Sequence, residues 1–327
     1  MSLKVLIIRF SSIGDIVLTT PVVRCLKQQR PDVEIHYLTK STFRFLIENN
    51  PYIDQIHTLD GSLWQTIGRL KKENFDIIID LHNNLRTLQI RIALGVQSYS
   101  FNKLNWEKWL LVNMRMNVLP NIHIVDRYME TVRTLSVKND HVGLDYFVPY
   151  RDVIERDWLP ETHQRSYVAF AIGGQHNTKK LPKARIVELC NKINYPIVLL
   201  GGKEDTADGD FVEQAVGKHL VFNACGKYNF NQSASVIEQS KVVFSHDTGL
   251  MHVAAAFKKK VYSIWGNTVP EFGMYPYQTH FSIIENRSLA CRPCSKIGHN
   301  KCPHGHFKCM NEVPFDFEIK ELNKIFK

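Results

Sequence analysis

The sequence predicts an α/β protein built from two domains, and three observations support this prediction. Apolar runs of four to six residues alternate with segments of helical period along most of the 327 residues. Such alternation is typical of parallel sheets that are covered by helices on both faces. The length suits two domains of about 150 residues each better than one core. Between residues 142 and 165 the pattern loosens into mixed Tyr, Pro, Asp and Arg, and we place the linker there.

Strands are predicted where short β-branched runs stand between polar residues, and helices where the apolar period lengthens. In the first half we expect strands at Val5–Arg9, Glu34–Leu38, Gln55–Leu59 and Phe75–Asp80, and helices near Ile16–Gln29, Thr42–Glu48 and Leu63–Lys72. In the second half we expect strands at Tyr167–Ile172, Pro196–Leu200, Leu220–Asn223, Val242–Ser245 and Val261–Trp265, and helices near Lys183–Ile193, Asp210–Val216, Gln232–Gln239 and Gly249–Ala256. A last amphipathic helix is predicted over Phe315–Phe326.

The most informative turn lies where a strand passes directly into an Ala-rich helix. The apolar run ending at Phe244 is followed by the polar residues 245–249, which read Ser-His-Asp-Thr-Gly. Asp247 or Thr248 can cap the free N–H groups of the helix, and Gly249 allows close approach to its backbone. A helix N-terminus of this kind can bind an anion such as phosphate. The alternative interpretation is an ordinary capped turn.

A second strand-turn-helix opens the chain. Its turn contains the residues Ser11, Ser12 and Gly14, and Asp15 begins the helix. A helix N-terminus stabilises this carboxylate as the anion. Asp15 is therefore either a helix start or a functional carboxylate beside two hydroxyls.

The composition is that of a globular protein with an acidic partner. Hydrophobic residues make up 44% and charged residues 22% of the chain, and the net charge is +9. This balance favours nucleic acid, an anionic membrane surface or a phosphorylated substrate. The longest basic run, Lys258–Lys260, is too short for a nucleic-acid arm. No apolar run reaches 18 residues, and Arg9 and Asp15 interrupt the first one, so we expect a cytoplasmic protein.

Taken together, these segments resemble glycosyltransferase family 9, the heptosyltransferases of lipopolysaccharide core assembly. Each motif alone is weak, but their order and spacing over nearly the whole chain are specific. The motifs lie at Arg9–Asp15, Asp80–Thr87, Thr178–Pro182, Gly201–Asp205 and Asp247–His252.

The resemblance implies the GT-B architecture, in which two Rossmann-like domains face each other across a cleft. We expect residues 1–155 to bind the acceptor and residues 156–312 to bind the nucleotide sugar. Residues 313–327 are expected to form a helix that packs back on the first domain. The implied donor is ADP-heptose, and the implied acceptor is an anionic glycolipid at the inner membrane face.

A nucleotide-sugar donor leaves as a diphosphate, so catalysis needs hydrogen-bond donors or cations at the leaving oxygens. The family's motif places its lysine on Lys179, rather than on Lys180, and Lys179 follows a Gly-rich turn. Glu204 can accept a ribose hydroxyl, whereas Asp247 either anchors its turn or touches the sugar. The expected donor-binding residues are Ser11, Ser12, Gly14, Gly174, Lys179, Glu204, Asp247, Thr248, Gly249 and His252.

Asp15 is the expected general base, because an inverting transfer needs one carboxylate to take the proton of the acceptor hydroxyl. Arg86 and Arg127 are the expected acceptor-binding residues, since guanidinium groups match phosphate and carboxylate geometry. The segment Lys103–Met116 is either an interfacial amphipathic patch or a core-facing helix. The other interpretation of each arginine is a surface side chain.

The cysteines near the end of the chain are a separate feature. Cys291, Cys294, Cys302 and Cys309 form a C-x2-C-x7-C-x6-C pattern that is interleaved with His299, His304 and His306. The first pair suggests structural zinc, and the alternative is a packed loop of reduced thiols. Disulfides are disfavoured in a reducing compartment. We expect catalysis to use neither a metal nor a cofactor, because no Asp-x-Asp pair is placed to hold a metal.

Two other functions compete with glycosyl transfer. A GT-B sugar-nucleotide epimerase would act without an acceptor and would need further carboxylates for acid-base chemistry. A zinc-stabilised nucleic-acid-binding module would use the basic surface instead. We expect no nucleic-acid partner.

Overall fold

A parallel sheet forms the centre of each of two units in the computed structural model, which describes residues 2–320. The first unit comprises the chain up to Leu104 together with Asn121–Phe147. The second comprises Asn105–Pro120 together with the described residues from Val148 onward. Both units are α/β, which confirms the predicted fold class.

The sheet of the first unit has the strand order β3-β2-β1-β4-β5, with all strands parallel. Its central strand is apolar and fully buried from Val5 to Ile8. The order reverses between β1 and β4, and ligands of such sheets bind beyond the carboxyl ends of the strands at this point. The strands are β1 (Leu3–Ile8), β2 (Val33–Lys40), β3 (Gln55–Leu59), β4 (Ile77–Asp80) and β5 (Gln97–Ser100).

The sheet of the second unit has the order β11-β10-β9-β6-β7-β8 and is also parallel. Apolar side chains cover both of its faces, as expected for strands that are enclosed by helices. Its order reverses between β6 and β9. The strands are β6 (Val168–Ala171), β7 (Ile197–Leu200), β8 (Val221–Asn223), β9 (Val242–His246), β10 (Lys260–Trp265) and β11 (Phe281–Glu285).

The helices mostly connect consecutive strands. The side chains of Asn84 and Asn229 cap two of them by accepting a hydrogen bond from a backbone N–H in the first turn. The α-helices are α1 (Ile13–Val17), α2 (Thr20–Gln29), α3 (Leu63–Lys71), α4 (Leu85–Leu94), α5 (Asn105–Trp109), α6 (Ile124–Met129), α7 (Glu161–Gln164), α8 (Lys183–Ile193), α9 (Thr206–Val216), α10 (Phe230–Gln239), α11 (Gly249–Ala256) and α12 (Lys308–Asn311).

The helix predicted over Ile16–Gln29 is in fact two helices, α1 and α2. Pro21 lies in the first turn of α2, where its missing N–H costs nothing. Within one continuous helix, Pro21 would remove a hydrogen bond to Val17, and its ring would clash with that carbonyl. The Thr20 hydroxyl donates to the Val17 carbonyl at 2.8 Å instead. The segment that was expected to be helical over Thr42–Glu48 forms a 3-10 helix at Ser41–Leu46.

Several elements have no counterpart among the predictions. Helix α4 exposes Leu85 and Ile92, so its apolar residues do not follow one face. Strand β5 is a short polar edge strand, and an apolar period cannot reveal it. The segment 105–114, α5 followed by a turn of π-helix, also has no single buried face.

The helix predicted over Phe315–Phe326 is wrong for its first part, because residues 313–319 form neither helix nor strand. Phe317 packs instead on Phe244 and Tyr262 in the core of the second unit, with ring centroids 5.8 and 5.2 Å apart. The apolar period of this segment therefore reflects aromatic side chains that fill the sheet face. Residues 321–327 lie outside the described part of the chain.

Candidate active site

Asp15 lies where β1 passes into α1, and both of its carboxylate oxygens are held. Oδ1 forms an ion pair with Arg9 Nη2 at 2.6 Å. Oδ2 accepts hydrogen bonds from the Ser12 backbone N–H at 3.0 Å and from the Ser12 hydroxyl at 2.6 Å. The side chain of Asp15 is still 20% exposed. The turn therefore presents an oriented carboxylate that solvent can reach.

The charge state of Asp15 is set by its partners. Burial alone would raise the pKa of the carboxyl, but the Arg9 charge and the Ser12 hydrogen bonds outweigh it and lower the pKa to about 2. Arg9 is nearly buried, and its guanidinium also donates to the carbonyls of Ser11 and Leu81. Asp15 is therefore ionised at neutral pH, and its role as the general base stays a prediction.

Two other residues of this turn have structural roles. The Ser11 carbonyl accepts the Arg9 Nε–H at 2.8 Å, and Gly14 is buried in α1. Donor binding by Ser11, Ser12 and Gly14 stays a prediction.

The loop after β4 contributes His82, to which the sequence analysis assigned no role. Burial, and then the charges of Arg9 and Lys103, lower its pKa to about 4, so the imidazole is neutral at pH 7. Its Nδ1 is buried and has no hydrogen-bond partner among the described residues. The Asp80–Thr87 motif was the available signal, because Asp80 Oδ1 accepts the His82 N–H at 3.0 Å and fixes this loop.

The two arginines expected to bind the acceptor differ in exposure. Arg86 is exposed and lines a cavity of about 350 Å³ with Lys40, Ser41 and Thr42. Arg127 is only 7% exposed and donates to the Asn102 carbonyl at 3.4 Å. Arg86 is thus the better placed of the two to meet a ligand.

In the second unit, the loops after the neighbouring strands β6 and β9 bring Lys179 and Asp247 together. Lys179 Nζ lies 2.6 Å from Asp247 Oδ2, and Thr268 donates to the same oxygen at 2.9 Å. The lysine side chain is 17% exposed. Asp247 therefore holds the lysine at the carboxyl end of the sheet, and its contact with the donor sugar stays a prediction.

Helix α11 begins beside this ion pair. Its N-cap residue, Thr248, has extended backbone and makes no side-chain hydrogen bond to the first turn. A Cβ on Gly174 would lie 3.2 Å from Thr248 Cγ2 and 3.4 Å from Lys180 Cγ, so a larger residue would crowd this turn. The first N–H groups of a helix have no partner within it, so without a side-chain cap the N–H groups of Gly249 and Leu250 can bind an anion.

The acidic pair at 204–205 has divided roles. Asp205 is buried, accepts the Gly202 N–H at 2.9 Å and pairs with Lys180 at 3.0 Å. Glu204 is exposed, and among the described residues no hydrogen bond or ion pair engages it. Lys180 is thereby paired with a buried carboxylate, whereas Glu204 faces solvent, and its contact with a ribose hydroxyl stays a prediction.

His252 is 2% exposed in the second turn of α11, so its contact with a donor stays a prediction. The neighbouring His246 is structural. Its Nε2 accepts the Leu181 N–H at 3.0 Å, and burial and the Lys180 charge lower its pKa to about 3.

The segment Lys103–Met116 does not resemble a core helix. Trp106, Trp109 and Met114 are exposed by 65%, 41% and 57%, and the two indoles stack at 5.1 Å. Leu104 and Leu111 are buried, and Leu111 packs against Val269 and Phe272. Among residues 2–320, no helix is both long and apolar enough to cross a membrane.

Comparison with known proteins decides the family. The family model of glycosyltransferase family 9 (heptosyltransferase) matches residues 63–304. The chain belongs to this family. It is therefore a glycosyltransferase, and the match decides against both the epimerase and the nucleic-acid-binding module.

Individual relatives are distant in sequence but cover most of the chain. Lipooligosaccharide heptosyltransferase 2 of Haemophilus ducreyi is 24% identical to this chain, and the alignment covers 99% of each chain. The structure of E. coli ADP-heptose lps heptosyltransferase II has a TM-score of 0.70 at 19% identity, covering 95% of this chain and 98% of that one. E. coli heptosyltransferase WaaC with ADP-2-deoxy-2-fluoro heptose has a TM-score of 0.65 at 18% identity, covering 86% and 93%. These structures share the GT-B fold with this family 9 chain.

Proposed function

We propose that this glycosyltransferase transfers heptose, with inversion, from ADP-heptose to a lipopolysaccharide core or related glycolipid. The observation that carries the proposal is the Lys179–Asp247 ion pair beside the uncapped N-terminus of α11. A full positive charge and free backbone N–H groups at one strand end form a site suited to a diphosphate. The family relatives named for ADP-heptose support the choice of sugar.

In this proposal the second unit binds the donor. Lys179 turns from Asp247 towards the diphosphate, while Thr248 and Gly249 present the N–H groups of the helix. As the glycosidic C–O bond breaks, negative charge grows on the leaving oxygen, and these donors stabilise it. Glu204 accepts a ribose hydroxyl.

The first unit, in this proposal, binds the acceptor. The acceptor oxygen attacks the anomeric carbon as the bond to the diphosphate breaks, and Asp15 takes the hydroxyl proton. One displacement inverts the anomeric configuration and needs no second carboxylate as nucleophile. Arg9 and Ser12 keep the carboxylate oriented, and the basic groups of Arg86 and Lys40 line the cavity that receives an anionic acceptor.

We also propose that the patch of Trp106, Trp109 and Met114 lies at the inner membrane surface, where a lipid-linked acceptor would be found. Indole rings favour the headgroup region, and the net charge of +9 favours anionic lipid. Flotation with phosphatidylglycerol-phosphatidylethanolamine vesicles should recover the protein. Trp106→Ser/Trp109→Ser should reduce that recovery, whereas Trp158→Ser, which removes another exposed indole, should not. Equal recovery of all three proteins would contradict the membrane contact.

The transfer itself is tested by incubating the protein with a panel of nucleotide sugars, with and without heptose-deficient lipopolysaccharide acceptors. We expect release of ADP from ADP-heptose that depends on the acceptor, and an acceptor product larger by one heptose. Acceptor-independent conversion of the sugar, or turnover only with a different nucleotide sugar, would contradict the proposal.

A further inference from the structure

Residues 286–307, between β11 and α12, form neither helix nor strand. Loops longer than about 12–15 residues without secondary structure are uncommon in folded domains, and they are usually functional. The apolar side chains that tie this one to the core include Leu289 and Phe307, near its two ends. Its middle contains the Cys and His residues of the predicted pattern.

Three of those side chains converge on one point. The sulfur atoms of Cys291 and Cys294 and a ring nitrogen of His304 all lie within 4.8 Å of one another. His306 Nε2 lies 3.8 Å from Cys291 Sγ. A tetrahedral zinc site with Zn–S near 2.3 Å and Zn–N near 2.0 Å has ligand-to-ligand distances of about 3.5 Å. The cysteines are free thiols, so no disulfide competes for the sulfurs.

Hydrogen bonds and an ion pair of two arginines fix the backbone around the two cysteines. Arg292 is 4% exposed at its side chain and forms an ion pair with Glu285 at 2.9 Å. Its guanidinium also donates to the carbonyls of Gly266, Asn286 and Thr268. Arg115 donates to the Pro293 and Cys291 carbonyls at 2.5 and 3.2 Å. The Cys-x-x-Cys turn is therefore held in place by contacts that do not involve its sulfurs.

We propose that Cys291, Cys294 and His304 bind one divalent transition-metal ion of the zinc or iron kind. Two thiolates neutralise a divalent ion, and sulfur and imidazole ligands suit tetrahedral coordination. Binding would release the two thiol protons. The ion would have a structural role, because it would tie the middle of the loop to the anchored turn at Arg292.

The same loop supports the segment that carries Lys179. The Thr178 hydroxyl donates to the His299 carbonyl at 2.9 Å and accepts the His299 N–H at 2.8 Å. A Cβ on Gly298 would lie 2.6 Å from His176 Cβ, so the two segments touch closely. Metal at Cys291 would thus brace the donor loop, a consequence that rests on the proposed function.

Elemental analysis of the purified protein, after growth in zinc- and iron-containing medium, tests the site. We expect about one metal ion per chain, and the element found distinguishes zinc from iron. After removal of the metal, titration with Co²⁺ should give the thiolate charge-transfer and ligand-field absorption of a tetrahedral site. Protein that contains no stoichiometric metal and gives no such bands would overturn the proposal.

Variants locate the ion. Cys291→Ser, Cys294→Ser and His304→Ala should each lower the bound metal at least tenfold. Cys190→Ala and His280→Ala, which change the same residue types elsewhere in the second unit, should keep it. If a ligand variant fails to fold, the cobalt spectrum of the unaltered protein still decides. Full metal content in all three ligand variants would overturn the assignment. Neither measurement uses sugar transfer, so the metal site and the proposed function can fail separately.

Discussion

The two strand-turn-helix sites of this protein look alike, yet they hold their charges differently. In each, a basic side chain lies 2.6 Å from an aspartate beyond the carboxyl end of a central strand. At the end of β1 the carboxylate of Asp15 lies inside the first turn of the helix and is the group left exposed. At the end of β9 Asp247 lies before its helix and takes a bond from Thr268, while the N–H groups of α11 are left open.

This difference separates two chemical roles. The Arg9 guanidinium is buried, permanently charged and hydrogen-bonded to two backbone carbonyls. It can therefore orient the Asp15 carboxylate but is not free to move away from it. Lys179 is a compact ammonium on a flexible stem, so it can exchange Asp247 for a phosphate oxygen. In the proposed function, Asp15 therefore accepts the proton of the acceptor hydroxyl, and Lys179 binds the diphosphate.

The largest expected effect comes from Asp15→Asn. The amide keeps the size of the side chain but cannot act as the base, so kcat should fall by about 10² to 10⁴. Steady-state assays of ADP release in the presence of acceptor measure this. Asp32→Asn, which alters an exposed aspartate in the same unit, is the matched control and should change little. A variant that turns over at nearly the parent rate would make Asp15 only a helix residue.

Lys179→Ala should weaken ADP binding by about 2 kcal/mol, or roughly 30-fold, the scale of a charge-assisted hydrogen bond. Part of this loss comes from Asp247, which would then face the phosphates without its partner. The double variant Lys179→Ala/Asp247→Asn should therefore bind ADP more tightly than Lys179→Ala alone. A double-mutant cycle by calorimetry checks this, and strictly additive losses would show that the pair does not act on the ligand together.

Low pH should lower the free energy of unfolding through protonation of Asp15. Its pKa falls from 3.8 to about 2 on folding, so its stabilisation is present above pH 4 and is lost as the pH falls through 2. The amount is about 2 kcal/mol. Asp15→Asn should flatten the loss of unfolding free energy between pH 4 and pH 2, as measured by denaturant titration. Some slope should remain, because the pKa of Asp140 is also lowered to about 2 despite its burial, by its bonds to Arg24. An unchanged slope would mean that the Arg9 pair adds nothing to stability.

A smaller effect is expected from metal removal. Apo protein that remains folded by circular dichroism should bind ADP several-fold more weakly, because the segment that carries Lys179 loses the support of the loop at His299. Restoring zinc should restore the affinity. Identical affinities of apo and metal-loaded protein would limit the metal to the loop itself.

The sequence was enough to locate both turns because each follows an apolar strand and combines glycine with a capping residue. It also placed most central strands within one or two residues, since their apolar runs are fully buried. It could not show the pairing of Lys180 with Asp205, because that contact depends on β6 and β7 lying side by side. The burial of Arg127 and His252 could not be predicted either, because it depends on contacts between elements that are distant in sequence. His82 was visible only as part of a motif, since its neutral state comes from burial and from charges that are distant in sequence.

The separation of proton acceptance from anion binding is tested most directly by titrating ADP into Asp15→Asn and Lys179→Ala side by side in a calorimeter. We expect Asp15→Asn to bind ADP within about twofold of the parent protein, and Lys179→Ala to bind it about 30-fold more weakly. Comparable losses of affinity in both variants, or a loss confined to Asp15→Asn, would contradict this separation of roles.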